Sequence, residues 1–470
     1  MHVASWAWIT LLIVSLSACS MNDTPAHEPH TVATTTSWTS EYQQGQFNQQ
    51  RFEQALPSDL QTLITEALSN NPALQQQGFA LDQQLYQVKI QDSQSWPNVE
   101  AFLTGQRSGS DSSTATQLSA GLDISWEIDW LGKLDALQQA AVLDAKVSFE
   151  QWQQAQIRLA ANTAQQWYNV IEAQQQQQLI EERYNNLKAN LQIIEESYQS
   201  GLNSALDVYL ARADLSASQA QLNSRNNQLT QAQRELELLL GRYPGGDIKV
   251  AGQLNVPLDA IPAGLPSELL IRRHDIKAAQ YRLAAADLRV YAAYRDRFPS
   301  LTLTASGGAQ SSQLNQLLNG ESLVWSLFAG VTAPIFDAAR RENQQLQQYA
   351  VAQGLNSAYL EQVLASFGEV EESLTLEPSL YQNAQLLATA AEDSKQAESL
   401  AFENYLAGLN EYVTVLESQR RAFDAQSSAI TALNLQLQNR IELYLALGGH
   451  LEQAQTTREA FASEPLFKLE

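Results

Sequence analysis

Alternating steps of four and three residues from Ala145 meet Phe149, Trp152, Gln156, Leu159, Thr163, Gln166, Val170, Ala173 and Gln177, and then Ile180, Tyr184, Leu187, Leu191, Ile194 and Tyr198. Such a heptad keeps one narrow seam on one side of an α-helix. It predicts a single helix from Leu134 to about Tyr198, roughly 100 Å long at about 1.5 Å per residue. The seam is mixed, with Gln, Thr and Ala between the large apolar residues, whereas a tight two-stranded coil wants Leu, Ile or Val throughout. Helices packed side by side in a wider, partly wet assembly suit this composition, and a long coiled-coil spacer answers the same periodicity. The pattern breaks at Gly201-Leu202-Asn203. It resumes as a return helix with Val208, Leu215, Leu222, Leu229 and Leu236 at sevens.

A second periodicity precedes the long helix. Leu118, Ala120, Leu122, Ile124, Trp126, Ile128 and Trp130 alternate with Gln117, Ser119, Gly121, Asp123, Ser125, Glu127 and Asp129. Strict alternation predicts a strand with one apolar and one polar face. Val99-Ala101-Leu103, Leu301-Leu303-Ala305 and the run Leu323, Trp325, Leu327, Ala329, Val331, Ala333 supply three more strands. Gly- and Ser-rich loops are expected at 108–116 and 307–322. Strands of this length with one apolar face fit a membrane β-structure or a half-buried soluble hairpin, and Trp126 and Trp130 stand near a strand end, where interfacial aromatics sit. Four strands cannot close a spanning barrel, which starts at about eight. An open edge in lipid leaves backbone groups unpaired at several kcal/mol each. A membrane reading therefore requires several identical chains around one barrel.

The two halves repeat. Trp96-Pro97 matches Phe298-Pro299 at an offset of 202, while Gly132-Lys133 and Ala339-Arg340, Tyr198-x-x-Gly201-Leu202-Asn203 and Tyr405-x-x-Gly408-Leu409-Asn410, and Leu240-Gly241 and Leu447-Gly448 all match at 207. Each half reads as a helix (Leu60 to about Ser95; Glu268 to about Arg297) ended by proline, two strands, a long helix and a return helix. The second long helix, from about Arg341 to Tyr405, is expected to kink or break at Glu377-Pro378. Its return helix carries Leu416, Phe423, Ile430, Leu437 and Tyr444. The halves span 58–242 and 267–449, joined by a Pro- and Gly-rich connector at 243–266 and followed by a tail at 450–470.

The N-terminus reads as a targeting signal. Trp6 to Ala18 is apolar but shorter than the roughly 20 residues of a membrane-spanning helix. It runs through Leu16-Ser17-Ala18 into Cys19, the only cysteine of the chain. This pattern resembles a bacterial lipobox, which makes 1–18 a signal peptide, Cys19 the site of a covalent lipid, and the polar 19–57 a tether. A buried free thiol is the alternative. His27-Glu28-Pro29-His30 is not a metal pair, because Pro29 prevents helical spacing.

Twenty-eight Lys and Arg against 51 Asp and Glu leave a net charge of −23, which argues against a nucleic-acid partner. The sequence contains no phosphate loop, dinucleotide fingerprint or Cys/His metal spacing. Its five histidines are scattered and its two methionines lie at the N-terminus. No catalytic constellation emerges, and no cofactor is expected beyond the lipid on Cys19.

The lipobox, the repeated halves, Ser125-Trp126-Glu127-Ile128-Asp129-Trp130-Leu131-Gly132-Lys133, Pro334-Ile335-Phe336-Asp337, both Tyr-x-x-Gly-Leu turns and the closing Leu447-Gly448-Gly449 together resemble the TolC-like outer membrane factors, lipoprotein branch. The resemblance implies a mainly α fold with membrane β: a homotrimer with a twelve-stranded barrel in the outer membrane of a Gram-negative bacterium, continued by a long periplasmic α-helical barrel. It implies an equatorial belt from the N-terminal segment, the connector and the tail. It also implies a passive exit duct of a tripartite efflux system, gripped at Gly201, Leu202, Asn203, Gly408, Leu409 and Asn410 by a periplasmic adaptor that links it to an inner-membrane RND pump. In the family, acidic residues past the second turn ring the closed aperture. The matching positions are Glu417 and Arg420, with Asp207 and Arg212 in the first half; an ordinary surface pair is the alternative. A metal-ion duct, a protein-secretion duct and a soluble periplasmic coiled-coil scaffold are the competing functions.

Overall fold

The structure, a computed structural model, describes residues 37–40, 56–111, 113–202, 204–254, 263–264, 266–317 and 322–449. Cys19, Asn203 and the tail at 450–470 lie outside the described residues. In chain order the elements are α1 (Ser58–Asn70), α2 (Pro72–Ser93), β1 (Asn98–Ser110), β2 (Ser113–Ile128), α3 (Lys133–Gln199) and α4 (Ala205–Leu239). There follow α5 (Pro266–Arg272), α6 (His274–Arg295), β3 (Ser300–Ser311), β4 (Leu323–Thr332), α7 (Arg340–Leu406) and α8 (Tyr412–Ala446). The described residues are mostly helical with one small sheet. Three pairs of corresponding helices agree in length: α2 and α6 have 22 residues each, α3 and α7 have 67, and α4 and α8 have 35. Among the described residues no helix is long and apolar enough to cross a membrane.

The chain forms two compact units, each drawing on both halves of the sequence. The sheet-bearing unit contains residues 82–148 and 278–360; the helical unit contains the described residues of 33–81, 149–277 and 361–449.

In the sheet-bearing unit the strands lie in the order β1-β2-β3-β4, all antiparallel. The register converts sequence alternation into two faces. Leu103, Ala120, Ala309 and Leu323 are successive partners across the sheet, as are Val99, Ile124, Ala305 and Leu327. One face is therefore apolar from edge to edge, and Leu103, Leu122, Leu323, Trp325 and Val331 on it are exposed. The opposite face carries Thr104, Ser119, Asp123, Ser306 and Ser326, where the Ser306 and Ser326 hydroxyls lie 2.7 Å apart. The expected loop at 108–116 is not one: the ladder runs on to the Ser110–Ser113 pair. Small polar residues suggest a loop by composition, but Thr114 and Thr116 are β-competent and the backbone ladder holds them extended. β3 likewise continues to Ser311 before a short 3-10 turn at Leu314–Gln316.

In the helical unit the heptad seam is the buried seam. Trp152, Leu159, Val170, Ile180, Leu187 and Ile194 are all buried. Its polar members are bonded: Gln166 Nε2 donates to Ala232 O (2.9 Å) and Glu235 (3.1 Å) of α4, and Thr163 Oγ1 donates to Leu159 O (2.8 Å). Off the seam, Gln176 and Ser427 of α8 exchange two hydrogen bonds (2.9 and 2.7 Å). Partners of this kind offset the cost of burying an amide.

Three expectations need correction. The first predicted helix is two helices, parted at Asn71. Pro72 disfavours helical backbone at the residue before it, and Asn71 is extended (φ −65, ψ 121). Its Oδ1 accepts from Leu74 N (3.0 Å), which starts α2, while Nδ2 donates to Leu239 O (2.9 Å). Its counterpart is parted at Arg273, whose buried guanidinium reaches Asp275 (2.6 Å) and Glu369 (2.7 Å). Finally, of the kink or break expected at Pro378, the break does not occur: α7 runs through it. Proline leaves the Leu374 carbonyl without its helical donor, but α8 braces the spot: Asn439 Nδ2 donates to Ser373 O (3.1 Å) and Glu377 (2.9 Å), and Arg440 pairs with Glu377.

Candidate functional site

The candidate site is the pair of turns that reverse the long helices, in the helical unit. Gly201 and Gly408 both sit at φ 75, the left-handed conformation that favours glycine. At the first turn Gly201 N donates to Tyr198 O (2.9 Å) and Leu202 N to Ser197 O (2.9 Å). At the second, Gly408 N donates to Tyr405 O (2.9 Å) and Leu409 N to Asn404 O (2.8 Å). These paired bonds satisfy the last carbonyls of each long helix and define a Schellman turn. Leu202 and Leu409 follow the glycines and are exposed, while Asn410 is half-buried.

The turns re-enter helix differently. Ser204 and Asp207 form a reciprocal capping box that starts α4, with Asp207 N to Ser204 Oγ at 3.2 Å and Ser204 N to Asp207 Oδ2 at 3.4 Å. α8 starts from Glu411 without a side-chain cap. Its first turn is instead held by packing. Ile194, Val208, Ala211, Tyr412 and Val415 are buried together, joined by Leu191, Leu210, Phe402, Tyr405 and Leu416, so all four long helices meet behind the turns. Burial, with Asp214 nearby, pushes the Tyr412 hydroxyl well above the usual phenol range.

The charges are arranged along the exposed sides of the helices. Glu417 pairs with Arg420 (2.9 Å) and with Arg421 (2.8 Å), and Arg420 also approaches Asp424 (3.5 Å). Hydrogen bonds from Arg421 and then Arg420 hold the Glu417 carboxyl below its ordinary range. Asp207 and Arg212 are not partners of each other: Asp207 belongs to the capping box, and Arg212 grips Glu195 of α3 (2.6 Å). Arg421 and Asp424 were visible in principle, at four residues from Glu417 and Arg420. Glu195 was not, because its partner lies on another helix.

Two buried anchors tie the flanking segments to the helices. Trp38 lies in the core with Leu269, Val370, Leu374 and Leu447, and its Nε1 donates to Gly264 O (3.0 Å). Thr39 N (2.7 Å) and Ser40 N (3.0 Å) donate to the Glu371 carboxylate. Glu237 accepts from the backbone N–H groups of Gly246 (2.7 Å), Asp247 (3.0 Å) and Ile248 (3.0 Å), fixing the start of the connector on α4. Burial opposes ionisation of Glu237, but the three backbone donors outweigh it and hold the carboxyl below its usual range.

Comparison with known proteins agrees with this architecture. The sequence profile for the outer membrane efflux protein family matches twice in succession, over residues 63–242 and 265–449. The toluene efflux pump outer membrane protein TtgF of Pseudomonas putida is 32% identical over 401 residues, covering 83% of this chain and 83% of the relative. The cation efflux system protein CusC of Escherichia coli O6:H1 is 30% identical over 409 residues, covering 84% of this chain and 87% of the relative. In fold, the crystal structure of the Campylobacter jejuni CmeC outer membrane channel superposes with a TM-score of 0.85 at 21% identity, over 96% of this chain and 100% of that one. With its mostly helical fold, its four-stranded antiparallel sheet and this likeness along nearly its whole length, the chain belongs to the outer membrane efflux protein family.

Proposed function

We propose that three copies of this chain form one duct, with four strands from each closing a twelve-stranded barrel in the outer membrane and their helices forming a periplasmic tunnel. One observation carries this reading. The described sheet has two unpaired edges, β1 and β4, and a face that is apolar across all four strands. In lipid each orphaned backbone group costs several kcal/mol. The alternating directions of the strands make β4 of one copy antiparallel to β1 of the next, so edges of identical chains satisfy one another. The equal lengths of α2 and α6, α3 and α7, and α4 and α8 support a duplicated ancestor, with repeats at 58–242 and 267–449.

The duct is passive, with no reaction of its own, and conducts drugs or other small molecules delivered by an inner-membrane RND pump through a periplasmic adaptor. The adaptor grips Gly201, Leu202, Asn203, Gly408, Leu409 and Asn410, where exposed leucines on rigid turns offer an apolar hold. Glu417 and Arg420 help hold the aperture shut, with Asp207 and Arg212 in the matching region. Residues 1–18 are a signal peptide, Cys19 carries the lipid and 19–57 is the tether. With the connector at 243–266 and the tail at 450–470, that tether forms an equatorial belt; the buried Trp38 supports this placement. A metal-ion substrate is the second reading, favoured by the likeness to CusC, which is named for cation efflux.

Cysteines placed on β1 of one copy and β4 of the next test the assembly. Disulfide-linked trimers in membranes are expected. A monomer released by salt alone overturns the barrel. Raised susceptibility of a knockout to toluene and drugs, but not to copper or silver, separates the two substrate readings.

A further inference from the structure

At one end of the sheet three of the four strands are flanked by exposed apolar side chains. Trp96 stands just before β1, Trp130 just after β2, and Ile335 and Phe336 just after β4. Because neighbouring strands are antiparallel, the start of β1 and the ends of β2 and β4 lie at the same end of the sheet. Trp325 and Phe328 are exposed farther along β4, while Trp96, Trp130 and Phe336 gather at this end, where large aromatics are suited to a membrane–water interface.

A cavity of about 180 Å3 opens at this end, among residues that leave the strands and enter the helices, including Trp130, Arg295, Asp296 and Arg341. Its volume is several times a water's share of liquid, about 30 Å3. The charges around it are answered locally, with one exception. Glu127 pairs with Lys133 (2.6 Å); Arg341 bridges Asp296 (3.1 Å) and Asp337 (3.1 Å). Asp129 accepts from the backbone N–H groups of Lys133 (2.8 Å) and Asp135 (2.8 Å), capping α3. Arg295 has no carboxylate partner among the described residues. Its guanidinium lies over the rings of Tyr291 (4.6 Å) and Tyr294 (5.8 Å), and its Nε is buried without a hydrogen-bond partner. A guanidinium stacked in this way is oriented but keeps its in-plane donors free, which suits a phosphate better than a lone carboxylate.

We propose that this cavity holds the headgroup of an anionic phospholipid from the adjoining leaflet, its phosphate on Arg295 and its acyl chains leaving beside Trp130 and Phe336. The site rests on the reading that the sheet lies in lipid. A bound lipid there answers a cation that the protein itself leaves unanswered, at the level where headgroup phosphates occur.

The full-length protein, reconstituted with a mixture of phosphatidylglycerol and a phosphate-free galactolipid and then extracted in mild detergent, is examined by native mass spectrometry. The wild type is expected to retain phosphatidylglycerol in preference to the galactolipid, Arg295→Gln to lose about tenfold of that retention, and Arg295→Lys to keep part of it. Equal retention by wild type and Arg295→Gln, no preference for the phosphate-bearing lipid, or displacement of the lipid by millimolar inorganic phosphate would each overturn the site. Flotation of the wild type with the vesicles separates this failure from failure of the membrane reading: a protein that does not float sinks both, whereas one that floats with unchanged lipid retention in Arg295→Gln sinks only the lipid site.

Discussion

Gly121 and Gly308 are register partners across the β2–β3 ladder, and their backbones come too close for either to carry a side chain. A Cβ on Gly121 would lie 2.5 Å from Gly307 O and 2.9 Å from Gly308 Cα, and one on Gly308 would lie 2.7 Å from Gly121 Cα. Phe102, the partner of Gly121 in β1, lays its ring edge over the same spot, 3.1 Å from where that Cβ would be. Paired glycines let a sheet bend sharply, as closing a barrel requires. Gly121→Val or Gly308→Val is expected to cost about 1–3 kcal/mol by overpacking, read as earlier heat dissociation of the proposed trimer on gels. Gly307→Ala, whose Cβ would meet nothing within 4 Å, is expected to be nearly neutral.

Glu417 is ionised more readily than a free carboxyl because Arg421 and Arg420 donate to it. A depressed folded pKa contributes stability that is present above the unfolded carboxylate pKa and is lost as pH falls through the folded value. The pair is therefore intact across the neutral and mildly acidic range. Conductance in planar bilayers is expected to be insensitive to pH there but sensitive to salt, which screens exposed pairs. The double substitution Glu417→Ala, Arg420→Ala is expected to raise single-channel conductance; an unchanged value removes the gating role proposed for these residues.

Glu237 offers a contrasting carboxylate, buried and met by three backbone donors. Its folded pKa is lowered, so by the same sign rule its contribution is full at neutral pH and fades as the group protonates in acid. Glu237→Gln removes the charge and replaces one of its two acceptor oxygens with an amide nitrogen, which turns hydrogens toward an N–H group that needs an acceptor. It is expected to lower the unfolding temperature at neutral pH and to expose the segment after Gly241 to limited proteolysis. The difference from wild type should shrink as pH drops through the folded value.

Pro378 sits inside α7 without breaking it because Asn439 and Arg440 of α8 hold the neighbouring Ser373 and Glu377. Asn439→Leu leaves the Ser373 carbonyl and the Glu377 carboxylate short of a donor and is expected to cost about 1–3 kcal/mol. Pro378→Ala restores a helical N–H and is expected to be neutral or stabilising. Thermal unfolding followed by helical circular dichroism distinguishes the two.

At the turns, a Cβ on Gly201 or Gly408 would meet nothing within 4 Å, so the cost of alanine there is purely conformational. Each substitution at φ 75 is expected to destabilise its turn by about 1–2 kcal/mol. Hydrogen exchange at Leu202 and Leu409, whose amides close the two turns, reports it directly.

Much of this was written in local periodicity. The heptad from Ala145 to Tyr198 marked in advance that Ile180, Leu187 and Ile194 would be buried, because residues three and four apart share one side of a helix wherever that helix is placed. Alternation from Gln117 to Ile128 marked which strand residues share a face, for the analogous reason at period two. Left-handed glycines at the turns followed from their position alone. The amino-acid order by itself thus determined the kinds of element, their apolar sides and the places where the chain reverses. Only the tertiary structure decided that Arg212 meets Glu195, that Asn439 supports a proline-bearing helix, that Asn71 joins the end of α4, and that Gly121 faces Gly308. Each of these depends on how far one element is rotated and slid against another. Many distant side chains set that phase together, and no short stretch of sequence carries it.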